Sequence, residues 1–154
     1  MAFHDPSNPD PNVDALPTGF YNVNLAVGKG FDNRKGDVML VQLLLKKFYA
    51  KKKDVKPPPG QMKVDGFFGP ITSGWITRFQ LQQNPMFPDG VATDGIVDRA
   101  KDPWIGTISK TLYTILVLNF WLRKLDVLLF ENLAFDPECP PFLKNELIFN
   151  GADS

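Results

Sequence analysis

Few side chains in this sequence could do chemistry, and their spacing argues against catalysis. The 154 residues include one histidine, His4, and one cysteine, Cys139. A hydroxyl or thiol nucleophile needs a base within hydrogen-bond reach. His4 stands in a proline-rich opening stretch, away from any segment able to form a core. A zinc site would need more imidazole or thiolate ligands than the chain owns, and a lone cysteine makes no internal disulfide. Asp65 and Asp94 could serve as an acid–base pair. Each, however, precedes a glycine, Gly66 and Gly95. In an Asp-Gly turn the carboxylate bonds its own nearby backbone, and the glycine takes up positive φ. A turn role for both is the stronger reading. Gly28-Lys29-Gly30 lacks the helix-opening spacing of a phosphate loop. The expectation is a protein that is not an enzyme and uses no cofactor or metal.

Charge points the same way. Lys and Arg total 17, as do Asp and Glu, so the net charge is zero and no global field draws the chain to nucleic acid or an anionic membrane. Lys46, Lys47, Lys51, Lys52, Lys53 and Lys56 form a basic run. Without interleaved stacking aromatics beyond Phe48 and Tyr49, it reads as a solvated helix end and loop, not a nucleic-acid surface. Hydrophobic residues make up 44% of the chain, with 13 Phe, 3 Trp and 3 Tyr among them, enough for a real core.

The elements that must hold these residues are legible from punctuation and period. Phe20 to Val27 alternates loosely, as a short strand or extended lead-in, and Gly28 to Gly36 is turn-rich. Asp37 suits the N-cap of a helix running to about Tyr49, with Val38, Val41, Leu45 and either Phe48 or Leu44 on its buried face. Pro57-Pro58-Pro59 makes a stiff loop after it. Pro70 suits the first position of a second helix, which Pro85 ends near Gln83; Ile76 and Phe79 give it an apolar stripe. Asp94-Gly95 repeats the Asp65-Gly66 device 29 residues later. Residues 108–131 read as a last helix with Ser109 as cap, apolar around most of its circumference but interrupted by Arg123, Lys124 and Asp126 too early to cross a bilayer.

Three blocks in order resemble the peptidoglycan-binding-like domain, a small three-helix module of cell-wall proteins. Gly36, Val38, Val41, Gln42 and Leu45 look like its first block. Asp65, Gly66, Phe68, Gly69, Thr72, Ile76, Phe79 and Gln80 match the second, and Asp94, Gly95, Ile96 and Val97 the third. Leu112 and Leu116 would belong to the final helix, so the likeness covers roughly residues 25–120. Trp75 stands where the family usually has a small residue, Asp98 where it has glycine, and insertions fall between Leu45 and Asp65 and from Arg99 to Gly106. The resemblance implies recognition of glycan or stem peptide in a shallow groove beside the second helix. Helix-face geometry puts Phe67, Thr72, Arg78 and Gln82 there, with Arg78 pairing a carboxylate. The Phe before glycine, Phe68, is core in the family pattern, which leaves Phe67 exposed. Trp75 and Trp121 read as packing residues and Trp104 as the more accessible one.

The expected organisation is an extended proline-rich arm (1–19), a mainly α, compact three-helix domain (20–131) and an apolar C-terminal docking tail (132–154). The tail would pack on the last helix or insert into a partner. Surplus apolar surface on 108–131 and in the tail suggests a protein partner. The opening residues lack the basic and apolar regions of a secretory signal. The chain is therefore expected to be made in the cytoplasm and to leave as part of a larger particle. The alternative to a wall-binding module is a structural adaptor in a phage-tail-like or contractile injection assembly.

Overall fold

A central helix organises the protein. In the computed structural model, which describes residues 1–9, 16–87, 90–101 and 111–152 (the last four by backbone alone), α1 (Lys35–Lys51) buries every residue from Gly36 to Leu45, then Phe48 and Tyr49. It packs against α2 (Pro70–Gln83), α3 (Thr114–Leu125), α5 (Pro141–Ala152) and strand β2 (Phe20–Asn22). A helix apolar on all sides must be surrounded. Strand β1 (Phe3–Asp5) pairs antiparallel with β2, Phe3 opposite Asn22 and Asp5 opposite Phe20. The chain is thus mainly helical with a small two-stranded sheet.

Two corners set the angles between α1, α2 and α3, and both are built the same way. Gln42 of α1 is 1% exposed. Its Oε1 accepts from the Asp65 and Gly66 amides at 3.1 and 2.9 Å. Its Nε2 reaches Asp65 Oδ1, the Phe67 carbonyl and Thr72 Oγ1 at 3.2, 3.1 and 3.0 Å. Gln80 of α2 repeats the arrangement one helix later. Its Oε1 accepts from the Gly95 amide, and its Nε2 reaches Asp94 Oδ1, the Ile96 carbonyl and Thr114 Oγ1. In each corner the aspartate accepts from the amide two residues on, and the glycine has positive φ, 78° and 73°. One buried amide therefore ties together a helix, the turn after it and the first turn of the next helix. A buried amide is tolerated only when its donors and acceptors are used.

Several sequence expectations change here. Asp37 lies inside the first turn of α1, not at its cap. Its carboxylate accepts from the Asn24 and Leu25 amides at 2.9 and 3.1 Å, so it fastens the lead-in to the helix. The 108–131 helix is two: Asp126 has φ −158°, breaks the run and caps α4 (Val127–Glu131) by accepting from the Leu129 amide. The surplus apolar face of α3 is covered from within the chain, since Ile115, Leu118, Trp121 and Leu122 are all buried. The opening residues are extended but held, with Ala2 wholly buried and its amide donating to Glu146 of α5 at 2.8 Å. Burial pushes the Glu146 carboxyl above its ordinary range. The tail packs on its own chain, on α1 and β1, through Leu143 and Leu147. Phe68 is half-buried against the core. Trp104, Ser109 and most of the Arg99–Gly106 insertion lie outside the described residues. Among the described residues no helix is long and apolar enough to cross a membrane.

Four lysines of the basic run, Lys46, Lys47, Lys51 and Lys52, are engaged in structural pairs. Lys46 and Lys47 pair with Glu138, Lys47 also with Asp136, and Lys51 with Asp126. Lys52 bonds Asp54 and sits 4.8 Å above the Trp121 ring. Hydrogen bonds from Lys46 and Lys47 hold the Glu138 carboxyl below the ordinary glutamate range. The Lys46 and Lys51 pairs are partly exposed and contribute little individually, whereas Lys47 and Asp136 meet with both side chains mostly covered. Lys46 and Lys47 bind the end of α1 to the segment before α5, and Lys51 binds it to the junction of α3 and α4.

Candidate functional site

The two corners share one construction, so what differs between them is not needed to turn the chain. At the second corner, the residue two beyond the aspartate is Ile96, half-buried, its side chain packed where Gly28 leaves room. At the first corner that residue is Phe67, 73% exposed. Its ring lies over Gly69, about as close as a side chain there would allow. A large aromatic held in water over a glycine gains little for the fold. Most of that ring is open to solvent.

Phe67 stands at the edge of a groove of about 430 Å³ between the corner and the start of α2. Gln61, Lys63 and Asp65 bring exposed polar groups to its rim, and Met62 and Ile71 bring apolar surface. A second hollow of about 330 Å³ adjoins it across Pro70 and Ile71, with Pro58 and Pro59 on one side and Gly74 and Arg78 on the other. Ile71, Gly74 and Arg78 fall at i, i+3 and i+7, one exposed face of α2 opposite the buried Ile76–Phe79 stripe. The corresponding hollow at the second corner, lined by Asp94, Ile96, Asp98 and Thr114, measures only about 160 Å³. There burial, aided by the charge of Asp94, raises the Asp98 carboxyl above its usual range.

The structure separates the four residues placed together on sequence grounds. Phe67 and Arg78 flank the two adjoining hollows. Thr72 is 4% exposed, and its Oγ1 accepts from Gln42, so it belongs to the floor and to the corner. A first-turn hydroxyl looks free in sequence because its partner, Gln42, is 30 residues away. Gln82 lines neither hollow; its Oε1 accepts from the Tyr49 hydroxyl at 2.6 Å. Burial raises the Tyr49 hydroxyl well above the usual phenol range, with the Arg78 charge opposing, so it remains a donor to Gln82 at neutral pH. Gln61, Lys63, Ile71 and Gly74 carry no motif that marks them in sequence, and Pro58 and Pro59 read there only as a stiff loop. Gly74, a glycine inside a helix, was the one available signal.

Asp65 and Asp94 occupy different corners, each with Oδ1 accepting from the local backbone and from its own glutamine. Both are committed to the turns. Comparison with protein-family models, with curated proteins and with solved structures gave no match.

Proposed function

We propose that the chain is a non-catalytic attachment module of the peptidoglycan-binding-like type, taking cell-wall glycan and its stem peptide in the groove beside α2. One observation carries the reading: Phe67 is exposed over a groove with polar rims at the corner whose twin shows no such exposure. An aromatic face stacks on the C–H face of a sugar ring, and amide, ammonium and carboxylate groups at the rim bond its hydroxyls. Arg78 supplies the cation for a peptide carboxylate. The repeated glutamine–Asp-Gly–threonine corners support the three-helix arrangement that the sequence motifs resemble. Both corner carboxylates being engaged in turns supports binding without catalysis.

Sedimentation with purified bacterial sacculi tests the proposal. Wild type should pellet. Phe67→Ala and Arg78→Ala should each weaken binding roughly tenfold, the effect of about 1.4 kcal/mol from one stacked ring or one charge-assisted pair. Wild type remaining in the supernatant, or both variants pelleting equally with it, would remove the reading.

A second reading, a structural adaptor in a phage-tail-like particle, draws on another place. Leu128 and Phe135 are 71% and 66% exposed around α4, a costly display unless covered. Light scattering on the whole chain decides. An adaptor working through this corner should self-associate and be freed by Leu128→Lys, whereas a monomer at high concentration would count against it.

A further inference from the structure

Glu146 of α5 is a carboxylate standing where a neutral amide would do. It is 7% exposed, and its Oε1 accepts from the Ala2 amide at 2.8 Å. A glutamine could accept the same bond without carrying a charge out of water. The fit around the carboxylate is close. Ala2 is wholly buried, and a Cβ at Gly36, in the first turn of α1, would overlap both carboxylate oxygens. Glycine there lets Glu146 lie against the backbone of α1. Three segments meet at this point: the start of α1, α5 and the residues before β1.

The end of the helix does not explain the charge either. A helix N-terminus favours an anion, but Asp37, wholly buried in the same turn, already supplies one and acts against Glu146. Two buried carboxylates at one place call for a cation. The α-ammonium of Met1 acts on Glu146 in that sense, although Met1 is 55% exposed. The nitrogen in contact with the carboxylate belongs to the following residue. An ammonium would stand at that contact only if the bond before Ala2 were cut.

We propose that the Met1–Ala2 bond is a processing site and that Glu146 is the receptor for the amino group its hydrolysis frees. Water adds across the peptide bond. Its oxygen goes to the methionine carbonyl, leaving a carboxylate, and its two hydrogens go to the Ala2 nitrogen, leaving an ammonium. That nitrogen already lies 2.8 Å from Oε1, the length of an ammonium–carboxylate bond. A three-residue strand need only fray for a peptidase to reach the bond. Water entering the place of Met1 takes the other two N–H groups. The neutral bond becomes a charge-assisted one, roughly twice as strong, and fastens β1 to α5 and α1. The site lies apart from the groove beside α2 and does not depend on what that groove binds.

Two forms of the whole chain beginning at Ala2, one with a free amine and one acetylated, test the receptor. Acetylation removes the charge but keeps an N–H donor, so it separates the ion pair from the hydrogen bond. The free-amine chain should melt about 3 °C above the acetylated one. Glu146→Gln should erase that difference. At pH 7 the Ala2 amine should react with an acylating reagent at least tenfold more slowly in the native chain than in Glu146→Gln, as read by peptide mass spectrometry. Intact mass of the chain produced with Met1 in a bacterial cell should show Met1 lost. Equal melting of the free and acetylated chains, equal acylation rates, or Met1 retained in every molecule would overturn the proposal. The melting comparison stands even if Glu146→Gln fails to fold.

Discussion

Gln42→Ala is expected to lower the unfolding free energy by about 3 kcal/mol. The Asp65 and Gly66 amides lose their acceptor, and the Phe67 carbonyl and Thr72 hydroxyl lose a donor. Each polar group left unpaired at a buried site costs on the order of 1–3 kcal/mol, and water reaching the exposed side of the corner recovers part of the total. Gln42→Glu is the sharper variant. It keeps size and one acceptor but sets a carboxylate oxygen against Asp65 Oδ1 and the Phe67 carbonyl. It should be nearly as damaging at neutral pH. Gln80→Ala should behave like Gln42→Ala, because it dismantles the second corner. Urea unfolding with a fitted midpoint and slope checks all three. A loss below about 1 kcal/mol in both alanine variants would show that the corners do not set the helix angles.

Gly19→Ala should be comparably severe for a different reason. Gly19 has φ +99°, and a Cβ there would sit 2.1 Å from the Asp5 carbonyl oxygen and 2.8 Å from Pro6 Cα. Both contacts are backbone, so no side chain can swing away. A cost of about 3 kcal/mol follows from strained φ plus the clash. The cheapest escape is for β1 to leave β2, which would expose Ala2 and break its amide bond to Glu146. Hydrogen exchange should then show amides of residues 3–5 losing protection while α1 and α2 keep theirs. Unchanged protection at β1 would contradict this account of how the N-terminal residues are held.

Much of the helical order could be read directly. Pro70 and Pro85 bracket α2 because proline acts through its own backbone, which is a local effect. The Asp-Gly corners were legible for the same reason. Asp37 misled because its carboxylate serves residues 24 and 25, across a loop, instead of the end of its own helix. Asp126 reads in sequence as an interruption of an apolar run within one helix, whereas its capping carboxylate splits the run into two helices. The opening prolines looked unable to bury anything, yet a three-residue strand beside them seats Ala2 in the core. Gln42 and Gln80 were visible as motif residues, but their work spans from 14 to 34 positions of sequence, which no local pattern encodes. The site divided similarly. Exposure of Phe67 follows from its place in the turn, whereas the buried partners of Thr72 and Gln82 come from other segments. The hollow beside Arg78 depends on a loop folding back onto α2, and nothing in the loop's own composition marks that contact.

On the proposed function, two glutamine-tied corners build a compact scaffold and the first of them, not the second, offers the surface for attachment to the cell wall. The most direct measurement is an amide chemical-shift titration of the whole chain with soluble wall fragments carrying both sugar and stem peptide. Shifts should concentrate at residues 61–74 and at Arg78, with residues 92–98 and the residues around α4 unmoved. Shifts at 92–98 or around Leu128 and Phe135 instead, or none at saturating fragment, would contradict it.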